Sequence, residues 1–284
     1  GTYVLAETNI SPSNLDALTS GEWYLNVHTT ANPNGEVRGQ IVPDTTAVVT
    51  FSLSGSQEVP AVDTMAMGSG YALFDTTNNN VSLVAVTTIE NATMAHIHTG
   101  FAGENGDVLV GLVESESTAG VWMTDGSIAL DEATATQLLA GGHYVNVHTA
   151  ANTGGEIRGQ ITPDNIEVYG IIANGLQEVP AVTTTASGAG AFTLNTSTGA
   201  LSGSVTITGM TANMAHIHEG EMGVNGDVLI GLTAGTSGMW SVPANTTLTA
   251  EQMNVMADGG LYTNFHSDAF PSGEIRGQIT LGFD

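Results

Sequence analysis

Seven of the eight histidines in this chain fall at repeated positions, and their spacing is that of metal ligands. Met94-Ala95-His96-Ile97-His98 returns 120 residues later as Met214-Ala215-His216-Ile217-His218. In an extended strand the two-residue period puts both imidazoles of each copy on one face and Ile97 or Ile217 on the other. A third imidazole comes from Tyr144-Val145-Asn146-Val147-His148, matched by Tyr262-Thr263-Asn264-Phe265-His266 and by Tyr24-Leu25-Asn26-Val27-His28. If this strand's Tyr/Asn/His face meets the His-x-His face, three neutral nitrogens with an open position converge. Such a set suits copper, or alternatively zinc, better than magnesium or calcium. The expected ligand sets are His96, His98 and His148, then His216, His218 and His266, with His28 belonging to a set completed from another half-domain. Asn146, Asn264 and Asn26 stand where a supporting hydrogen bond would orient a ligand. Met94 and Met214 share the His face and offer a thioether, although methionine in a strand more often fills space. His143 has no repeat partner, since Trp23 and Leu261 take its place.

The chain has no lysine, and its three arginines, Arg38, Arg158 and Arg276, all stand in the motif Gly-Glu-[Val/Ile]-Arg-Gly-Gln. Positive charge kept at one spot argues for a job that needs the planar guanidinium fork, and bidentate pairing with a carboxylate is the expectation. Glu156 and Glu274, two residues earlier on the same face, are candidate partners, as are Glu58 and Glu178 across the unit. A structural clamp is favoured over a catalytic arginine. No Ser-His-Asp constellation, phosphate loop or paired-carboxylate motif supports an enzyme class.

The elements that must position these residues repeat with them. Offsets of 120 and 118 residues between the Arg motifs divide the chain into 1–44, the C-terminal half of a unit, and two complete units, 45–164 and 165–284. Gln57-Glu58-Val59-Pro60-Ala61-Val62 recurs as Gln177 to Val182. The half-unit has no His-x-His strand and would expose strand edges, so another chain or a missing segment is expected to complete it. Runs such as Ala47 to Leu53 and Gly203 to Ile207 are rich in β-branched residues and bounded by Gly, Asn and Ser. Asn105-Gly106-Asp107 and Asn225-Gly226-Asp227 look like tight turns, with calcium ligation the weaker reading. One short helix per unit is expected, capped by Ser11, Asp131 or Thr249, with Pro12 at N1, a Thr249/Gln252 capping box, and Gly21, Gly141 or Gly259 at C′.

Composition narrows the partners. A net charge of −25 with only three basic residues opposes binding to nucleic acid or anionic lipid. It suits a salty medium or one rich in divalent cations. Without cysteine, any metal must be held by His, carboxylate, Met or backbone oxygen. There is no apolar run of membrane-spanning length. The chain starts with neither an initiator Met nor a signal peptide, so it is expected to have lost its original N-terminus.

Met-Ala-His-Ile-His, Asn-Gly-Asp-Val, Gly-x-Tyr-x-Asn-x-His and Gly-Glu-Ile-Arg-Gly-Gln-Ile together resemble the chordin-type (CHRD) domain family over nearly the whole chain. The resemblance implies an extracellular β-rich domain. Growth-factor antagonism does not carry over, because the cysteine-rich modules of chordin are missing. A weaker likeness is to Cu,Zn superoxide dismutase, with His96, His98 and His148 corresponding in kind to copper ligands but no clustered His/Asp zinc subsite. The expected fold is all-β: tandem antiparallel β-sandwich or barrel domains, with a superoxide-dismutase-like Greek key as one form, each carrying one short α-helix. The expected function is a secreted or cell-surface structural repeat protein, not an enzyme. It would form an extracellular filament or matrix as a homo-polymer, by donor-strand exchange through the N-terminal half-domain. The alternatives are a copper-dependent oxidoreductase of superoxide-dismutase type and a cation-dependent adhesin.

Overall fold

The computed structural model describes residues 2–5 and 8–282. The half-unit holds helix α1 (Pro12–Thr19) and strands β1 (Tyr24–Val27) and β2 (Val37–Gln40). The middle unit runs β3 (Thr46–Ser54), β4 (Met67–Asp75), β5 (Asn80–Thr87), β6 (Met94–Thr99), β7 (Val108–Gly111), β8 (Val113–Glu114), β9 (Val121–Met123), β10 (Ile128–Ala129), helix α2 (Glu132–Leu139), β11 (His143–His148) and β12 (Ile157–Gln160). The last unit repeats this order as β13 (Ile166–Asn174), β14 (Ser187–Asn195), β15 (Leu201–Thr208), β16 (Met214–Glu219), β17 (Val228–Gly231), β18 (Thr233–Ala234), β19 (Met239–Ser241), helix α3 (Ala250–Ala257), β20 (Leu261–His266) and β21 (Ile275–Leu281).

The protein is all-β apart from these short helices, and its sheets form nearly closed barrel or sandwich shapes. The strand order is β7-β6-β11-β12-β3-β4-β5-β9-β8, and in the last unit β17-β16-β20-β21-β13-β14-β15-β19-β18. Alternation builds the core: Val49, Phe51 and Leu53 of β3 and Val81, Leu83 and Ala85 of β5 point inward and are buried, while Thr50 and Ser52 lie between them. Each large side chain fully buried in this way contributes about 1.5–3 kcal/mol. The helices start where the caps require, with Ser11, Asp131 and Thr249 accepting from the backbone N–H three residues on. Thr249 and Gln252 close the capping box. Gly21, Gly141 and Gly259 follow the C-caps at φ 76°, 76° and 72°, where a side chain would be strained.

The topology explains the half-unit. In a complete unit, β11 and β12 sit between β6 on one side and β3 on the other, both from the N-terminal half. β1 and β2 pair with each other in the same register but, among the described residues, have neither neighbour. Tyr24, Leu25 and Val37 are therefore 48%, 56% and 63% exposed, where Tyr144, Val145 and Ile157 are 1%, 0% and 0%.

Consecutive units touch. The middle unit's Ala102 N–H donates to Thr193 Oγ1 at 3.3 Å, and Ser204 Oγ donates to the Gly103 carbonyl at 3.0 Å. Gly103 packs so closely on β14 and β15 that a Cβ would come within 2.5 Å of the Ser204 carbonyl. Gly141 lies against Ile166 and Thr193, and Gly21 of the half-unit lies against Leu73 at the equivalent place.

Candidate metal centre

β6 and β11 are hydrogen-bonded neighbours, with Asn146 opposite His96, Tyr144 opposite His98 and His148 opposite Met94. The imidazoles thus converge sideways across one sheet, not between two facing layers. In both complete units the three histidines bring ligand nitrogens within 4.8 Å of one another: His96, His98 and His148, and His216, His218 and His266.

The orientation of each ring follows from its hydrogen bonds. His98 Nδ1 meets the Gly106 carbonyl at 3.0 Å and His148 Nδ1 meets the Thr153 carbonyl at 3.1 Å. A carbonyl only accepts, so Nδ1 carries the proton and each Nε2 presents a lone pair. The Nε2 atoms of His98 and His218 are buried with no partner. His148 Nε2 lies 3.1 Å from His96 Nδ1, and one proton can bridge them. A metal taking His96 Nδ1, His98 Nε2 and His148 Nε2 would displace that proton and give the orphaned nitrogen a partner. The same distances recur in the last unit, at 3.1 Å for His216 to His266, 3.0 Å for His218 to Gly226 and 3.0 Å for His266 to Pro271. The donor set fits a nitrogen-preferring ion, and three ligands leave a coordination position open.

Electrostatics favours neutral imidazole at His96, His98, His148, His218 and His266. Burial first, and repulsion from the neighbouring imidazoles, lowers the pKa of His148 and His266; for His98 and His218 the adjacent arginine adds to that effect. Burial also lowers His96. Neutral imidazole is the form that ligates.

The arginines act differently from the sequence expectation. Arg158, 1% exposed, donates to the carbonyls of Glu104 at 2.7 Å and Phe101 at 2.9 Å and to Gln160 Oε1 at 2.9 Å. Its guanidinium lies 3.5 Å over the Tyr144 ring, which stacks with His98 at 5.0 Å. Arg276 and Tyr262 repeat this arrangement, and Arg38 lies 3.6 Å over Tyr24. The guanidinium fork therefore clamps the 101–104 loop, which leads into Gly106, instead of pairing bidentately with a carboxylate. Glu156 accepts from Thr64 and Thr149, and Glu274 from Thr184 and Ser267. Asn146 does not reach a histidine. Its Nδ2 contacts the Gly154 carbonyl at 3.3 Å and Glu58 Oε2 at 3.5 Å, and Asn264 contacts Glu178 in the same way. Burial raises the pKa of Glu58 and Glu178 to about 7 even though Arg158 and Arg276 pull the other way. Met94 and Met214 are half exposed beside His148 and His266. Asn105-Gly106-Asp107 is no tight hairpin: it ends the long 100–107 connection between β6 and β7 and supplies the carbonyl that orients His98.

His28 is prepared like its counterparts, with Nδ1 at 2.9 Å from the Pro33 carbonyl, but no His-x-His strand lies beside it among the described residues. Two contributors went unrecognised as site residues in the sequence. Tyr144 Oη accepts the Gly106 N–H at 3.2 Å, and Gln160 Nε2 donates to the Gly100, Gly141 and His143 carbonyls at 2.7–3.0 Å. Their repetition within the two motifs was the available signal.

Tandem β units, of which the two complete ones each carry a trihistidine cluster on the sheet face away from the core and an arginine clamp beside it, define the class. The CHRD domain model matches residues 2–41, 49–161 and 169–279, and the chain belongs to the CHRD domain family. No curated protein matches the chain. Among the described residues no helix is long and apolar enough to cross a membrane.

Proposed function

We propose that this chain is a structural repeat protein of the cell surface or extracellular space, whose complete units each hold one copper-type ion on three imidazoles. The observation that carries the metal reading is the pair of buried, unpartnered Nε2 atoms of His98 and His218, each fixed by a carbonyl on its other nitrogen. Zinc is the alternative ion. Bound only by the folded unit, the metal adds stability by mass action.

Repeat assembly is supported by the way units pack in line, with the same helix-end glycine of one unit seated on the next at Leu73 and at Thr193. The open edges of β1 and β2 mark where a neighbour in the filament or matrix adds an N-terminal half by donor-strand exchange, and its His-x-His strand would complete a third site with His28. Each copy holds three C-terminal halves and two N-terminal halves. Exchange between identical copies keeps that count: an N-terminal half donated to β1 and β2 leaves its own C-terminal half open, which links copies in series. The structural role takes precedence over catalysis. The oxidoreductase reading draws on the open coordination position beside half-buried His96, and it requires the copper-loaded protein to consume superoxide. Negative-stain microscopy and light scattering of the purified chain test the assembly reading. Metal-dependent oligomers weakened by His28→Ala support it, and a monomer at every protein, salt and metal concentration contradicts it.

A further inference from the structure

We propose that His143 makes the middle unit an acid-triggered joint, opening in mildly acidic conditions while the last unit stays folded. His143 is 0% exposed, and neither ring nitrogen has a hydrogen-bond partner. It begins β11 on the core-facing side, alternating with Tyr144, and lies across from Thr99 of β6. Its carbonyl accepts from Gln160 and Ile161 of the β12 side, but its ring accepts and donates nothing. No carboxylate or cation faces the ring from β6 or β12: burial is the sole cause pushing its pKa down, to about 4. The other two repeats hold Trp23 and Leu261 at this position, and Leu261 is equally buried. Among the described residues, the middle unit alone places a histidine at a core-facing strand position, fully buried and without a hydrogen-bond partner for its ring.

The sign follows from linkage. Above pH 6.5 the ring is neutral whether the unit is folded or unfolded. Between 6.5 and about 4 the unfolded chain takes up a proton that the folded unit refuses, so stability falls with pH across that window. Burial also disfavours protonation of His98 and His148 in the middle unit and of His218 and His266 in the last, so the exchange of His143 for Leu is the change that isolates the share of His143. Opening would carry away β11 and with it His148, and it would lift Ala102 and Gly103 from their seat on Thr193 and Ser204. Acid would thus release the middle unit's ion and break the array at its centre.

Trp122 and Trp240, buried at equivalent places, report on the two units separately when the other tryptophans are replaced by Phe in the full chain. In chelator-containing buffer, acid titration of Trp122 fluorescence should show a midpoint about one pH unit above that of Trp240. His143→Leu, which installs the last unit's residue, should close that gap. Leu261→His should raise the Trp240 midpoint towards that of Trp122. Equal midpoints in the wild-type chain, or a gap unchanged by His143→Leu, would overturn the proposal. Because no metal is present, failure here leaves the metal reading intact.

Discussion

An imidazole whose Nδ1 donates to a carbonyl has only Nε2 to offer, and this constraint defines the free nitrogen of two rings in each cluster, His98 and His148 or His218 and His266. The residue types and spacing were legible in the sequence because a strand's period of two is rigid. The partners that fix the rings were not, because they are backbone carbonyls of Gly106 and Thr153, whose positions no side-chain pattern encodes. The same is true of the arginine. Its invariance across repeats indicated a clamp, but its acceptors are two more loop carbonyls and a Gln. Lysine cannot span three acceptors while stacking on Tyr144. Arg158→Lys should therefore cost the middle unit about 2–3 kcal/mol, measured by urea unfolding, with the last unit unaffected. Glu58 yields a prediction of opposite pH sign to the histidines. Its raised pKa means the folded state binds the extra proton between pH 4.5 and about 7, so its contribution declines as pH rises through that window. Glu58→Gln should gain on wild type more at pH 8 than at pH 5 in the same assay.

At the scale of elements, the helices were the most readable parts, since capping residues act locally and Ser11, Asp131 and Thr249 stand where they must. Asp131→Ala should lower the middle unit's stability by about 1 kcal/mol, seen as a reduced melting temperature. Strand pairing was less readable. Nothing in β6 or β11 announces that they lie side by side in one sheet, since the 43 residues between them include a helix and four short strands. The Asn-Gly-Asp segment misled for a related reason: turn-forming residues mark a reversal without fixing its length, and here they close an eight-residue connection. Gly155, at φ 135°, shows how tightly the other connection is packed. A Cβ there would stand 2.3 Å from Asn146 Oδ1 and 2.5 Å from Glu58 Oε1, so Gly155→Ala should unfold the middle unit at a lower urea concentration.

The whole molecule couples strong negative charge to end-to-end contact between units. Its net charge of −25 opposes close approach of copies, so association should strengthen as salt rises or divalent cations are added, which light scattering can follow. The sheet order supplies the physical reason β1 and β2 are exposed: their counterparts β11 and β12 lie between β6 and β3, and β1 and β2 form a two-stranded sheet. Backbone amides of Tyr24–Val27 and Val37–Gln40 should accordingly exchange hydrogen far faster than those of His143–His148, and equal protection would show that the half-unit is already completed. The central claim, one ion per complete unit on three imidazoles, is tested most directly by the metal content of the purified chain after copper loading and removal of excess. The expected content is two ions per chain, falling to one with His98→Ala and to none when His218→Ala is added. Binding that stays near two in the double variant, or no binding in the wild type with either copper or zinc, would contradict it.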